Sequence, residues 1–112
     1  MAPQGNDVDL LKEVVARILA VSEPERIILF GSYARGEAGP DSDLDLLVLA
    51  AGVTKPRQES VRLRRALRGL RVPIDVIVAT PEQAARYRDA IGLLYAPALK
   101  EGKVLYERPA AA

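Results

Sequence analysis

The chain has 112 residues, of which 16 are Lys or Arg and 15 are Asp or Glu, and it contains no Cys, His or Trp. With 49% hydrophobic and 28% charged residues, its composition is that of a globular protein and not of a disordered chain. The lack of Cys and His excludes disulfides, thiolate nucleophiles, Ser-His-Asp triads and Cys- or His-based metal sites, so any catalysis must use carboxylates, Lys, Arg, Tyr or a hard metal ion.

The apolar segments are too short to cross a bilayer. The longest, residues 46–53, is far below the ~20 residues that a membrane span requires. Residues 1–6 lack the basic and apolar regions of a secretory signal, so we expect a cytoplasmic protein without membrane contact. We predict that residues 1–6 and 109–112 are unstructured. A net charge of +1 does not indicate a nucleic-acid partner, and we expect no direct nucleic-acid binding.

Apolar spacing, β-branched runs and Gly or Pro breaks divide the chain into alternating helices and strands. The predicted helices cover residues 7–21, 33–36, 57–70, 81 to about 90, and 93–101. The predicted strands cover residues 26–30, 43–49, 72–78 and 103–107. This order fits one domain over residues 1–112, of α+β class, built as an α/β sandwich in which helices cover one sheet.

Turn and cap residues support several of these boundaries. Asn6 or Asp7 is suited to the N-cap of the first helix. Thr80 is suited to the N-cap of a later helix, because Pro81 follows at the first helical position. Pro73 lies near the start of the third strand, where a missing N–H is tolerated.

Three aspartates occupy strands whose other residues are mainly apolar. Asp43 and Asp45 are two residues apart, so they share one face at a separation of about 6.5–7 Å, while Leu44 and Leu46 face a core. Asp75 interrupts another apolar strand. If these strands are neighbours, the carboxylates converge and repel one another unless a divalent cation lies between them. Oxygen ligands favour Mg²⁺ or Mn²⁺.

A short polar turn precedes the first two aspartates. The strand 26–30 ends at Gly31-Ser32, where a glycine permits close approach of backbone N–H groups to an anion and the hydroxyl adds a donor. Arg35 can add positive charge. A phosphate cradle followed by carboxylate metal ligands is typical of phosphoryl or nucleotidyl transfer.

The spacing of these residues resembles a known motif. Gly31-Ser32, ten intervening residues and Asp43-x-Asp45 resemble the nucleotidyltransferase signature of the DNA polymerase β superfamily. More narrowly, they are similar to the minimal nucleotidyltransferases (MNT), the antitoxins of HEPN-domain ribonuclease toxins. The resemblance extends from the first helix to residues 103–107, and Asp75 falls where the family has its third carboxylate. It implies a palm-like domain with a mixed sheet covered by helices.

The resemblance also implies roles for the site residues. Asp43 and Asp45 would ligate two Mg²⁺ ions, and Asp75 would ligate one of them and help to deprotonate the acceptor hydroxyl. Gly31 and Ser32 would hold the β- and γ-phosphates of ATP, and Arg35 belongs to the same nucleotide-binding pattern. The implied activity transfers AMP from ATP to a tyrosine of the HEPN toxin. A hetero-oligomer with that toxin is implied as well.

Several alternatives remain at the level of sequence. The chain can be a non-catalytic antitoxin that binds and occludes its toxin, or a nucleotidyltransferase that modifies a small molecule. The arginine-rich segment 57–71 is either a solvated helix face or a surface for RNA, an acidic partner or nucleotide phosphates. Tyr87, Tyr95 and Tyr106 either pack against the core or form part of a partner surface.

Overall fold

The computed structural model describes residues 5–87 and 102–109, with side chains for 8–85 and 102–109. Its helices are α1 (Gly5–Val21), α2 (Ser32–Arg35), α3 (Pro56–Ala66) and α4 (Pro81–Tyr87). Its strands are β1 (Arg26–Phe30), β2 (Leu44–Leu49), β3 (Ile74–Ala79) and β4 (Lys103–Glu107). The predicted α+β class is confirmed, and the bounds of β1 and β4 are those predicted.

The four strands form one mixed sheet in the order β3-β2-β1-β4. β1 pairs antiparallel with both β2 and β4, whereas β2 and β3 are parallel. Parallel neighbours need a crossover connection, and α3 lies on it. The two central strands, β1 and β2, are the two most continuously buried, as expected of strands that are covered on both faces.

One face of the sheet packs against α1 and α3. Leu44 and Leu46 of β2 are fully buried there, which confirms that they face the core. Each such aliphatic side chain stabilises the fold by roughly 1.5–3 kcal/mol relative to exposure. The buried cluster on this face consists of Leu10, Val14, Ile18, Ile27, Leu29, Ala34, Leu44, Leu46, Val48, Leu63, Leu67, Val76 and Val78.

The opposite face carries a smaller apolar cluster near the end of β2. It contains Ile28, Leu47, Leu49 and Ala79 from the strands, together with Ala84 of α4.

A reciprocal cap fixes the start of α4. The Thr80 hydroxyl accepts the Gln83 N–H at 3.1 Å, and the Gln83 side-chain oxygen accepts the Thr80 N–H at 2.9 Å. Pro81 is the first residue of the helix. The predicted N-cap is confirmed.

Two arginines connect α1 to α3. Arg17 donates to the Arg68 carbonyl at 2.8 Å, and Arg62 donates to the Val21 carbonyl at 2.6 Å. These carbonyls lie at or just beyond the C-terminal ends of the helices, where no intrahelical donor is available. Arg17 of α1 contacts Arg68, whereas Val21, later in α1, contacts Arg62, which comes earlier in the α3 segment. Because the order of the contacts is reversed, the two helices run antiparallel.

The predicted start of the first helix was wrong. α1 begins at Gly5, so Gly5 and Asn6 belong to the helix and are not part of an unstructured end. Neither Asn6 nor Asp7 is therefore the N-cap. Apolar periodicity begins at Val8 and cannot locate a polar first turn, which is why helix ends are the least certain part of such predictions.

The predicted end of α3 was also wrong. The helix ends at Ala66 and not at residue 70, because Leu67 has φ −95° and ψ 7° and Gly69 has φ +91°. Leu67 and Leu70 nevertheless contact the core, so the apolar spacing continues through a turn that is not helical.

The strands β2 and β3 each begin later than predicted. β2 starts at Leu44 and β3 at Ile74. The Pro73 carbonyl accepts the Leu44 N–H at 2.9 Å, but Pro73 has no N–H to extend the ladder.

Some predictions fall on other parts of the chain. Several predicted features lie outside the described residues: the helix over 93–101, Tyr95, the α4 segment beyond Tyr87, the tail 110–112 and the side chain of Tyr87. Tyr106 is half-buried against the core, which agrees with a packing role.

Within 5–87 and 102–109, no helix is long and apolar enough to cross a membrane.

Candidate active site

The aspartates lie at the end of the sheet where β2 and β3 begin. Asp45 and Asp75 are direct partners in the parallel ladder, whose strands are about 4.8 Å apart. Asp43 precedes Asp45 by two residues, directly before β2. Asp45 is half-buried, whereas Asp43 and Asp75 are exposed. The predicted adjacency of the two acidic strands is therefore present.

The three carboxylates affect one another electrostatically. Burial raises the pKa of Asp45 above its ordinary value of 3.8, and the charges of Asp75 and Asp43 raise it further. Arg35 acts in the opposite direction and lowers the pKa of Asp45. The like charges make the ionised form of Asp45 costly, and this is the setting in which a cation or a proton is bound.

Gly31 makes room for Asp45. It has φ 75° and ψ −156°, a backbone region that is essentially restricted to glycine. A Cβ atom at Gly31 would overlap Oδ2 of Asp45 and would lie 3.3 Å from its Cγ. The sequence pattern related Gly31 to an anion and did not indicate this contact with Asp45. The contact follows from the antiparallel register, in which Phe30 pairs with Asp45 and Gly31 comes next in the chain.

Ser32 begins a single helical turn beside Gly31. The N–H groups of Ala34 and Arg35 donate to the Gly31 carbonyl at 3.1 and 3.2 Å. Gly36 ends the turn with φ 72°. The predicted turn at 33–36 is confirmed with a shift of one residue, and it holds Ser32 at the end of β1, next to the strand of Asp45.

Arg35 and Ser42 define the remaining border of the site. Arg35 is exposed, and its Nε donates to Glu37 at 3.1 Å. The Ser42 hydroxyl accepts the Gly39 N–H at 2.8 Å, and the Ser42 N–H donates to the Gly39 carbonyl at 3.2 Å. This closed turn leads directly into Asp43, a role of Ser42 that was not predicted from the sequence.

The donor atoms at this edge fit a hard divalent cation. Asp43, Asp45 and Asp75 offer only carboxylate oxygens, which Mg²⁺ prefers, and their mutual repulsion would be relieved by a cation. Among residues 5–87 and 102–109, no three acidic side chains are gathered closely enough to enclose a metal ion as they stand. The arrangement is thus a set of coupled carboxylates beside a glycine-serine turn, and it is suited to a metal-bound phosphate ligand.

Sequence comparison relates the chain to known proteins. A family model described as "Nucleotidyltransferase domain" matches residues 8–108. The chain is also 33% identical over 60 residues to a protein of Methanocaldococcus jannaschii named as a putative protein adenylyltransferase. That alignment covers 50% of this chain and 61% of the relative, so the chain spans less than two thirds of the relative's length.

Solved structures share the fold. A toxin-antitoxin crystal structure with AMP-PNP has a TM-score of 0.67 at 24% identity, covering 88% of this chain and 73% of the other. A mutant toxin-antitoxin structure named MntA-HpeT gives 0.66 at 22% with the same coverage. A putative nucleotidyltransferase from Sulfolobus solfataricus gives 0.55 at 22%, covering 96% and 93%. Together with the family match over nearly the whole sequence, the coupled aspartates beside Gly31-Ser32 lead to one conclusion: the chain belongs to the nucleotidyltransferase domain family.

Proposed function

We propose that this chain is a Mg²⁺-dependent adenylyltransferase that moves AMP from ATP to a tyrosine of a HEPN-domain ribonuclease toxin and thereby acts as its antitoxin. The observation that carries the proposal is the in-register pair Asp45–Asp75, coupled to Asp43 and packed against Gly31. Family membership and the name of the Methanocaldococcus relative support the reaction type. The fold shared with toxin-antitoxin structures supports the partner class.

The three aspartates have different roles in the proposed reaction. Asp43 and Asp45 would hold two Mg²⁺ ions, one of them shared with Asp75; bound Mg²⁺ neutralises charge on the reacting phosphate oxygens. Asp75 is exposed at the sheet edge, where a protein substrate can reach it. Its carboxylate helps to take the proton from the tyrosine hydroxyl. We propose one domain over residues 1–112 that acts in the cytoplasm, in a hetero-oligomer with the toxin.

The other site residues bind the nucleotide. Gly31 and Ser32 hold the β- and γ-phosphates through backbone and hydroxyl donors, and Arg35 adds positive charge. The tyrosine oxygen attacks the α-phosphorus. A bond from phosphorus to the tyrosine oxygen forms, the α–β phosphoanhydride bond breaks, and pyrophosphate leaves with its electron pair.

Intact-mass spectrometry of the HEPN toxin tests the proposal. The toxin is incubated with ATP, Mg²⁺ and either the wild-type chain or Asp75→Asn, with Asp41→Asn as the matched control in the exposed loop before Asp43. We expect the wild type and Asp41→Asn to add one or more AMP units. Asp75→Asn should slow transfer about 10²–10⁴-fold, the usual contribution of a general base. Asp43→Asn should abolish transfer.

Other outcomes separate the alternatives. A toxin that is bound and inhibited but gains no AMP indicates an occluding antitoxin, and the transferase proposal is then wrong. AMP transfer to a small hydroxyl compound, without toxin binding, indicates a small-molecule enzyme. Circular dichroism controls for unfolding; we expect the Asp→Asn variants to keep their fold, because removal of one charge relieves repulsion.

A further inference from the structure

The α3 segment carries the densest run of positive charge in the described part of the chain. Residues 57–71 contain six arginines and one acidic residue, Glu59. Glu59 is occupied: it binds Arg62 at 2.7 Å, and this pair lowers the pKa of Glu59. Arg62 also binds the Val21 carbonyl of α1. The only carboxylate of the segment is thus used for a structural contact with Arg62, and it does not pair with Arg57, Arg64 or Arg68.

Three of these arginines, Arg57, Arg64 and Arg68, form what we term the arginine stripe. Arg57 and Arg64 are seven residues apart, which places them on one side of α3, and Arg68 lies in the non-helical turn that follows the helix. All three are exposed. Within 5–87 and 102–109 none of them forms an ion pair with a carboxylate. The stripe is therefore available to an external anionic group.

Arg64 of the stripe lies on the side of α3 away from α1, whereas the Arg68 carbonyl accepts a hydrogen bond from Arg17 of α1. Arg62 faces α1, and a step of two residues turns a helix by about 200°, so Arg64 is on the opposite side. α3 packs against β3, which is an edge strand of the sheet formed by the described residues. Arg64 is thus on the side of α3 nearer the β3 edge of that sheet.

Arg64 and Arg68 lie on the connection that leads to the end of the sheet that carries Asp75. The segment containing α3 returns the chain from the end of β2 to the start of β3, because these strands are parallel. Arg64 and Arg68 lie in the last part of this return, six to ten positions before Ile74, where β3 begins. A protein that presents a hydroxyl to Asp75 across the β3 edge would extend over them.

We propose that the arginine stripe is a docking surface for an acidic surface of the acceptor protein. This inference rests on the proposed function, which requires that a protein substrate be held while its hydroxyl reacts. Guanidinium groups bind carboxylates in a bidentate manner, so Asp or Glu side chains of the acceptor are the matching chemistry.

The composition favours a protein over an RNA as the occupant. Single-stranded nucleic acids are usually held by aromatic side chains that stack on bases, in addition to cations. α3 has the sequence PRQESVRLRRA and contains no aromatic residue. The net charge of the chain is only +1.

Binding of the HEPN toxin to a stripe variant tests the inference. Arg57, Arg64 and Arg68 are changed together to Gln in an Asp43→Asn background, so that binding is measured without turnover. The matched control changes Lys12, Lys103 and Arg108 to Gln; these exposed cations belong to α1 and to the β4 edge. We expect the stripe variant to bind the toxin about 30-fold more weakly and with less salt dependence, and the control to stay within about threefold.

Kinetics in the catalytically competent chain distinguish docking from chemistry. The stripe variant should raise KM for the toxin while kcat and KM for ATP stay unchanged, and replacement of the three arginines by Lys should restore part of the loss. Unchanged toxin affinity in the Gln variant overturns the inference. Stripe-dependent binding of a decauridylate RNA, with toxin binding unaffected, overturns it as well. Stripe-dependent toxin binding without any AMP transfer retains the docking surface and refutes the proposed function alone.

Discussion

The two halves of the β2–β3 ladder use different chemistry within one continuous pairing. In the first half, Asp45 is paired with Asp75 directly after the apolar pair Leu44–Ile74, whereas the last pair is Leu49–Ala79, both almost fully buried. Like charges directly opposite on neighbouring strands destabilise a sheet, whereas an apolar pair stabilises it. The apolar pairs therefore hold the strands in register and compensate the cost of the acidic pair. Stability and the candidate site are separated along a ladder of six residue pairs.

Shortening a side chain in the apolar part of the ladder should have the largest effect on stability. Leu46 is fully buried and is paired with Val76. Leu46→Ala should lower the free energy of unfolding by about 2–5 kcal/mol, because lost burial and a cavity both contribute. Urea denaturation measures this change. Val104 is 52% exposed, so Val104→Ala should change the free energy of unfolding by less than about 0.5 kcal/mol. Equal losses for the two variants would contradict the view that this ladder carries the stability.

Alanine variants of two glycines test the contact between Gly31 and Asp45. Gly31 and Gly52 have φ values of 75° and 76°, but a Cβ meets Asp45 at Gly31 and nothing within 4 Å at Gly52. Gly52→Ala should cost about 1–2 kcal/mol of the free energy of unfolding, from backbone strain alone. Gly31→Ala should cost roughly 1–3 kcal/mol more, from overlap with the carboxylate and from a ψ of −156° that is essentially restricted to glycine.

The same two variants give a second readout in AMP transfer. Gly31→Ala should abolish it, because Asp45 is displaced, while Gly52→Ala should retain it when assayed below its unfolding temperature. If both variants retain transfer, Gly31 does not position Asp45.

Removing the charge of Asp45 should produce the smallest change in stability, and in the opposite direction. Asp45→Asn should raise the free energy of unfolding near neutral pH by roughly 0.2–1 kcal/mol without Mg²⁺, the range for one cross-strand pair of like charges. The measurement is urea denaturation in the presence of a chelator. Asp9→Asn, an exposed change on α1, serves as the control.

The pH dependence of that difference has a defined sign. The pKa of Asp45 is raised in the folded state, so this group contributes stability that is fully present below its unfolded value of 3.8 and is lost as pH rises through the folded pKa. The stability advantage of Asp45→Asn should therefore grow as pH increases above 3.8. An advantage that shrinks with increasing pH would show that Asp45 is stabilised as an anion.

Local pattern was sufficient to predict four strands and to identify the aspartates as candidate site residues. Residues 26–30 and 103–107 are short apolar runs between turn-forming residues, and both were predicted with their observed bounds. Asp75 was recognisable because it interrupts an apolar strand, and Thr80-Pro81 because a cap and a proline start a helix in a fixed order.

Features that depend on tertiary contacts were not predictable in this way. The end of α3 at Ala66 was missed because Leu67 and Leu70 keep helical apolar spacing in a non-helical turn. The steric role of Gly31 depends on the register of β1 against β2, which the sequence does not state. The hydrogen bonds of Arg17 and Arg62 were not predictable either, because their acceptors are 51 and 41 residues away along the chain.

The parallel pairing of β2 and β3 also determines when the candidate site can assemble. Asp45 and Asp75 are thirty positions apart, and they become neighbours only after the intervening segment has closed into a loop with α3 on the sheet. Loop closure of this kind has an entropic cost that precedes the contacts it permits. A partly synthesised chain that ends before residue 74 has only Asp43 and Asp45. During synthesis, the third carboxylate is therefore added last, and the acidic centre is complete only after β3 has paired with β2.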